Sequence, residues 1–401
     1  MRKLITYVIA SISSLASVCE MNAFRDENKT IAIIDPDGSV SSAPTIIEII
    51  RKFGALGYTC DVFMPQRYHL KVDFKARLFV CPRLFPIAFT FGKDFLRSCR
   101  DWWVGLGSLR NKPTGCYRIV FGINPEGIVL ASKKFKCEEL VYLSFELFSE
   151  NDTNSPVFKR LKLLERQASQ LASLVISQDS IREAFLRKNL ELHQTPFVNF
   201  PVAPAGLPAI NNRTSCNQEN FKVLISGSFS AFTRTETILE SVPSWSSEFS
   251  LTVNSNASYS DKIIGRHCSE RIRFNQGNLS ESDYVKLLDS MDIGIVGYSP
   301  IYEKNPFLMT NIELMGLSSG KLGFYARSGL PMVLIGYPFP PDLFAKYSFG
   351  ISIDDESKLA GALQELVENY SDFSRESRRL YDEVLSFDVH LPKLMGQLKL
   401  K

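Results

Sequence analysis

Apolar residues in this chain recur as continuous runs rather than in strict alternation, and helix-period segments separate the runs. The first run is Thr30-Ile-Ala-Ile-Ile-Asp35. A turn-rich loop follows, Pro36-Asp-Gly-Ser-Val-Ser-Ser-Ala-Pro44, then a helix over Thr45–Leu56 that closes on Gly57, and a strand over Thr59–Met64. This order predicts a strand–loop–helix–strand unit of a parallel sheet. Uninterrupted apolar strands imply that both sheet faces are covered, as in doubly wound α/β domains. Runs at Leu78–Val80, Tyr117–Phe121, Leu140–Phe145 and Leu174–Ser177 extend the sheet. A helix over Phe158–Leu171 presents Leu161, Leu164, Ala168 and Leu171 on one face. The first domain is expected to span residues 1–200.

Pro196, Pro201, Pro204 and Pro208 stand among Gly, Asn and Ser between Thr195 and Asn220, which marks a linker whose core is residues 201–220. The same grammar then repeats. Strands are predicted at Lys222–Ser226, Leu251–Asn254, Ile272–Phe274, Ile293–Tyr298, Met332–Ile335 and Gly350–Ile353, with helices between them. Ser280 followed by Asp283 is a capping-box-like start for a helix running through Met291. The second domain is expected at 221–373. A helical tail at 374–401 returns to the first domain, with Pro392 breaking its last part. The predicted architecture is α/β: two Rossmann-like doubly wound domains facing a central cleft.

Composition narrows the function. A chain of 401 residues, 45% hydrophobic and 22% charged, is long enough for two globular cores and is neither disordered nor fibrous. The formal charge is +3 and the basic residues are scattered, which argues against a nucleic-acid partner. Eight dispersed cysteines without a Cys-x-x-Cys pair, and four histidines, argue against a zinc site and suit a reducing compartment. After Met1-Arg-Lys, the apolar stretch Leu4–Val18 resembles a signal peptide. It is interrupted by Ser11, Ser13, Ser14 and Ser17 and falls short of the roughly 20 residues a bilayer span needs. Residues 1–25 therefore read as an extra helix or a peripheral membrane contact, with a signal peptide as the alternative.

Several groups could carry chemistry. Gly227-Ser228 ends the second domain's first strand, where backbone N–H groups can meet phosphate, and Arg234 lies just beyond. Ser318-Ser319-Gly320-Lys321 opens a helix, so hydroxyls, backbone amides and an ammonium would converge on an anion there. This is not a Walker loop, because Leu322 stands where Ser or Thr is required, and no Gly-x-Gly-x-x-Gly fingerprint occurs. Asp35-Pro-Asp37 reads as turn chemistry. Glu146, and Glu126 in a Gly-Ile-Asn-Pro-Glu-Gly turn, sit at the carboxyl edge of the first sheet, where open α/β sheets bind ligands. Ser41 and Ser42 lie in the loop after the first strand on the same side.

Taken in series, Ile293–Tyr298 followed by Ser318-Ser-Gly-Lys-Leu-Gly-Phe-Tyr-Ala-Arg-Ser-Gly-Leu-Pro331-Met-Val resembles the donor-binding motif of the large retaining group of GT-B glycosyltransferases. Lys321, Leu322, Tyr325, Gly329 and Pro331 match that motif. Leu164-Glu-Arg166, Ala172–Asp179 and Tyr142–Glu146 resemble the end of the family's first domain. Two positions depart from the pattern. Phe324 occupies the place of a Glu that contacts the donor's ribose, and Gly316 that of its partner Glu eight residues earlier.

The resemblance implies transfer of a sugar from a nucleoside diphosphate sugar to a glycan, lipid-linked or other acceptor in surface polysaccharide or glycoconjugate assembly. Retention is implied, with no obligatory metal and no cofactor beyond the donor substrate. Glu146, Arg234 and Lys321 are the expected catalytic residues. Gly227, Ser228, Gly277, Ser318, Ser319, Gly320, Leu322 and Tyr325 are expected at the donor, and Ser41, Ser42 and Glu126 at the acceptor. A cytoplasmic location is expected, with peripheral contact to the inner membrane surface. A nucleotide-sugar epimerase on the same fold, or a non-catalytic sugar-nucleotide or partner-binding relative, is the alternative.

Overall fold

The computed structural model describes residues 29–39, 43–65, 76–81, 115–206, 220–255, 261–267, 269–277, 279–300 and 306–400. The Leu4–Val18 stretch, Ser41, Ser42 and residues 207–219 of the linker lie outside the described residues.

Seven parallel strands form the first sheet: β1 (Thr30–Ile34), β2 (Thr59–Met64), β3 (Ala76–Val80), β4 (Cys116–Ile123), β5 (Lys136–Leu143), β6 (Leu174–Ser177) and β7 (Phe197–Asn199), in the order β3-β2-β1-β4-β5-β6-β7. Six form the second: β8 (Phe221–Ser226), β9 (Phe249–Ser255), β10 (Ile272–Gln276), β11 (Ile293–Gly297), β12 (Met332–Ile335) and β13 (Gly350–Ile353), in the order β10-β9-β8-β11-β12-β13.

The helices in chain order begin with α1 (Pro44–Ala55), α2 (Asn124–Lys134), α3 (Pro156–Ser169) and α4 (Ser180–Leu190) around the first sheet. Around the second lie α5 (Thr235–Ser241), α6 (Asp261–His267), α7 (Glu281–Asp289), α8 (Thr310–Glu313), α9 (Gly320–Arg327), α10 (Pro341–Tyr347), α11 (Leu359–Glu368) and α12 (Tyr370–Leu380). The last is α13 (Phe387–Gln397). The described helices include none long and apolar enough to cross a membrane. The described cysteines, Cys60, Cys81, Cys116 and Cys137, are free thiols.

The continuous apolar strands find cover on both faces. Ile31, Ile33, Ile119, Phe121 and Ile176 point into one core with α1 and with Phe387, Leu394 and Leu398 of the tail. Their neighbours Ala32, Ile34, Val120, Tyr142 and Val175 point into another with residues of α2, α3 and α4. The second sheet is likewise packed on both sides. Each large side chain so buried stabilises the fold by about 1.5–3 kcal/mol relative to exposure.

The structure differs from the sequence expectation at three places. Phe197–Asn199, inside the expected linker stretch, is a strand paired with β6, because Val198 inserts into the core under α13. Three residues between two prolines carry too little pattern to register as a strand. Gly-Ile-Asn-Pro-Glu-Gly is no turn but the end of β4 and the first turn of α2. Pro125 there needs no N–H, and Gly127 is required because a Cβ would stand 2.5 Å from the Ile34 carbonyl oxygen. Pro392 lies inside α13 rather than breaking it. An interior proline costs about 3 kcal/mol. Burial of Phe387, Leu394 and Leu398 against the first sheet offsets that cost.

The chain crosses between the sheets beneath α9. Val202 N–H donates to the Leu317 carbonyl at 2.9 Å, and Ala203 lies so close to Gly323 that a Cβ there would overlap it at 2.8 Å. The return crossing is pinned by Tyr381, whose hydroxyl donates to the Pro204 and Gly206 carbonyls at 2.9 Å each.

Candidate functional site

The carboxyl ends of the two sheets face each other, and the expected site residues sort by what surrounds them. On the second domain, Gly227 follows β8 with φ +119°, a conformation that favours glycine. A Cβ at this position would lie 3.3 Å from Lys321 Cε. Lys321, in the first turn of α9, places its ammonium 4.6 Å from the centre of the Tyr298 ring at the end of β11. No described carboxylate forms an ion pair with it. Ser319 is the N-cap residue of α9, but its hydroxyl turns to the Tyr298 hydroxyl at 3.3 Å instead of capping the helix. The first turn of α9 contains no acidic residue. A glycine turn, an ammonium and an uncapped helix start therefore meet at one point, an arrangement suited to an anion.

Other expected donor residues have different surroundings. The Ser318 hydroxyl is spent on the Met315 carbonyl at 2.6 Å. Gly320 faces Pro44 and Val202, so its lack of a side chain serves the domain contact. Leu322 and Tyr325 are core residues at 1% and 0% exposure, and the Tyr325 ring fills the space where a Cβ on Gly294 would sit. Their match to the motif reflects packing rather than contact with a ligand. Ser228 is exposed beside Gly227, and Gly277 follows β10 with φ +106°, where a Cβ would meet nothing within 4 Å. Arg234 has its own partners. Its guanidinium pairs with Glu356 at 2.9 Å and donates to the Asp354 carbonyl at 3.1 Å, which ties α5 to the loop after β13.

On the first domain, Glu146 lies in the extended segment after β5 and is half-buried. Burial pushes its carboxyl up to about 7; Arg182 opposes the shift and Asp37 adds to it. The segment is held from both sides. Asn124, fully buried at φ +59°, accepts the N–H groups of Phe145 at 2.9 Å and Glu146 at 3.0 Å. Its amide donates to Asp37 and Ser39 of the loop after β1 at 3.4 and 3.3 Å. One side chain thus joins the loops that follow β1, β4 and β5. Beneath them, buried Lys162 and Glu165 pair at 2.9 Å, and the Tyr142 hydroxyl donates to Glu165 at 2.6 Å, which anchors α3 to β5. Glu126, in the first turn of α2, is 2% exposed. Asp35 accepts the Gly38 N–H at 3.1 Å, the turn chemistry expected of Asp-Pro-Asp. No group of three or more His, Cys, Asp or Glu among the described residues could hold a metal ion.

The two sides are joined by residues that the sequence reading did not single out. Asn311 of α8 belongs to the second domain, yet its side chain bonds to the first. Its amide donates to Glu146 Oε2 at 2.6 Å, and its oxygen accepts from the Leu147 N–H at 3.0 Å and from Arg182 at 2.9 Å. Arg182 is wholly buried and also donates to the Phe145 and Leu314 carbonyls at 2.5 and 2.8 Å. Asp179 caps α4 through the N–H groups of Ile181 and Arg182 and accepts the Leu317 N–H at 2.9 Å. Within the second domain, half-buried Phe324 of α9 meets Tyr284 of α7 edge-on at 5.1 Å. At the rim, Arg51 of α1 bonds through both terminal nitrogens to Glu281, the first residue of α7. A lone Asn in a four-residue helix carries no local signal of such a role. Only Phe324 and the Gln-Asp end of β6 were visible in advance.

No protein-family model and no curated protein sequence matches the chain. Solved structures do. Sucrose-phosphate synthase from Thermosynechococcus elongatus superimposes with a TM-score of 0.64 at 15% identity, over 92% of this chain and 98% of that one. Anabaena HepE, crystallised with UDP and glucose, gives 0.62 at 12% identity over 92% and 99%. WaaG, a glycosyltransferase involved in lipopolysaccharide biosynthesis, gives 0.59 at 13% identity over 93% and 99%. At these identities the likeness is one of fold, and on that ground the chain is a two-domain protein with the GT-B glycosyltransferase fold.

Proposed function

We propose that the protein is a glycosyltransferase that moves a sugar from a nucleoside diphosphate sugar to a glycan, lipid-linked or other acceptor. The observation that carries this reading is the meeting of the Lys321 ammonium, the Gly227 turn and the uncapped start of α9 on one wall, with the Glu146 carboxyl on the other. A leaving diphosphate gathers negative charge, which an ammonium and helix N–H groups offset in a site that excludes water. Retention requires the acceptor hydroxyl to approach on the face that the diphosphate leaves, and as it attacks there it must lose a proton, which a carboxylate pushed up to about 7 is suited to take. HepE, which has the same fold, is described in complex with UDP-glucose.

Retention at the sugar, independence of metal, a cytoplasmic location with peripheral membrane contact through residues 1–25, and a place in surface polysaccharide or glycoconjugate assembly belong to the same proposal. Arg234 belongs to the same proposal as a catalytic residue beside the diphosphate, its guanidinium placed by Glu356. A sugar-nucleotide-binding protein without turnover is the second reading, supported by Gly316 and Phe324 standing where the resemblance places carboxylates.

Calorimetry with UDP-, GDP-, ADP- and CMP-sugars, then product analysis with and without lipid-linked acceptors and with EDTA, tests the proposal. One donor is expected to bind and turn over with its anomeric configuration kept. Binding of a donor with no turnover on any acceptor would favour the second reading, and interconversion of a donor without acceptor would identify an epimerase.

A further inference from the structure

We infer that Asn311 is a positioning residue that acts across the domain boundary, orienting the Glu146 carboxyl and favouring its charged form where the two domains meet. The inference rests on the reading of Glu146 as the proton acceptor for the incoming hydroxyl.

The geometry is specific. Asn311 is carried by α8 of the second domain, is 6% exposed, and satisfies both ends of its amide on the first domain. Its oxygen holds the Leu147 N–H and Arg182, and its nitrogen is left to donate to a single partner, Glu146 Oε2. The Glu146 backbone is independently fixed by Asn124 from below. The peptide therefore stays in place whether the domains are together or apart, while the carboxyl is oriented only when α8 arrives. The charged groups acting on that carboxyl are Arg182 from α4, which favours the anion, and Asp37 from the loop after β1, which opposes it. Donation from Asn311 also favours the anion. Closure brings two opposed effects, burial, which raises the proton affinity of the carboxyl, and the Asn311 donor, which arrives with α8 and limits that rise. Asn311 thus keeps the buried carboxyl able to accept a proton once the cleft has closed around donor and acceptor.

Two substitutions separate this role from a structural one. Asn311→Asp keeps an oxygen for Leu147 and Arg182 but replaces the donor to Glu146 with a second carboxylate. Asn311→Ser draws the side chain back from Glu146 without adding charge, and gives up the oxygen that holds Leu147 and Arg182 as well. The protein is labelled with 13C at the glutamate side-chain carboxyls, Glu146→Gln identifies the resonance, and its titration is followed in the full chain.

The Glu146 midpoint is expected to rise by at least one pH unit in Asn311→Asp and by at least half a unit in Asn311→Ser. With donor and acceptor present, kcat at pH 7 should fall at least tenfold in both, with donor KM within threefold and the acid limb of the pH profile displaced by the same amount as the titration. An unmoved midpoint in Asn311→Ser overturns the inference, whatever Asn311→Asp does, since a shift in Asp alone reads added charge. If one variant does not fold, the other decides by its own criterion, and if neither folds the amide is structural and the inference falls. Absence of turnover in the parent protein would remove the transferase reading and leave the titration to decide the coupling by itself.

Discussion

The Asp179 carboxylate occupies the space next to Gly316: a Cβ at residue 316 would stand 2.1 Å from Asp179 Oδ2, the oxygen that accepts the Leu317 N–H at 2.9 Å. Gly316 also has φ +48°, and the Tyr337 hydroxyl donates to its carbonyl at 2.6 Å. The first domain thus closes on a backbone that has no room for a side chain. The missing carboxylate of the family pattern at this position is a consequence of that contact.

Gly316→Glu is therefore expected to separate the domains rather than to recreate a ribose contact. A left-handed non-glycine residue with overpacking costs about 2–4 kcal/mol. A fall in Tm with no gain in affinity for UDP, measured by calorimetry and calibrated thermal melts, is the expected result. A tighter complex would show that the space can be remade.

Lys321→Ala removes the ammonium beside Gly227 while leaving the buried face of α9 intact. A hydrogen bond to a charged group contributes about 1.5–3 kcal/mol. Affinity for the nucleoside diphosphate should accordingly fall by roughly 10- to 100-fold. The melting temperature should stay within a few degrees, since Lys321 makes no ion pair among the described residues. Equal affinities in variant and parent would place the phosphate elsewhere.

Glu146 should make stability depend on pH in the sense opposite to an ordinary salt-bridged carboxylate. Its pKa is raised from 4.5 to about 7, so between those values the folded state holds more protons than the unfolded one, and stability falls as pH rises. The contribution is complete below about pH 4.5 and lost through pH 7. Glu146→Gln keeps an acceptor for Asn311 and removes the titration. It should be more stable than the parent at pH 8 by roughly 1–2 kcal/mol, after discounting for solvent at the cleft. The difference should vanish below pH 5 in urea melts.

Arg51 and Glu281 bridge the rim of the cleft at about 35% and 41% side-chain exposure. A pair so placed contributes about 0–1 kcal/mol. Glu281→Gln should therefore leave the Tm nearly unchanged yet shift the open population by a small factor, read as a longer distance between labels on α1 and α7. The effect should disappear at 1 M salt, where the Debye length is about 3 Å.

Much of the architecture was legible from pattern alone, for a reason that particular strands make plain. The runs at 59–64, 174–177, 332–335 and 350–353 coincide with β2, β6, β12 and β13, because parallel strands covered on both faces are mostly apolar, with exceptions such as buried Asp61 and the exposed Ser352 of the edge strand β13. Lys321 and Gly227 could be singled out because each belongs to a short segment, a strand end or a helix start, whose local geometry already points N–H groups one way. Phe197–Asn199 and the helical Pro392 could not be read, since packing against another part of the chain overrides their local preference.

What the tertiary structure decided is which of these groups face one another. Nothing within a few residues of Arg234 indicates that Glu356 will claim it, and nothing near Asn311 indicates that it will reach Glu146, 165 positions away. Periodicity and turn chemistry are properties of neighbours along the chain. The partner of a buried polar side chain is chosen by the closing of one domain on the other, where every amide and carboxylate that loses water must find a partner.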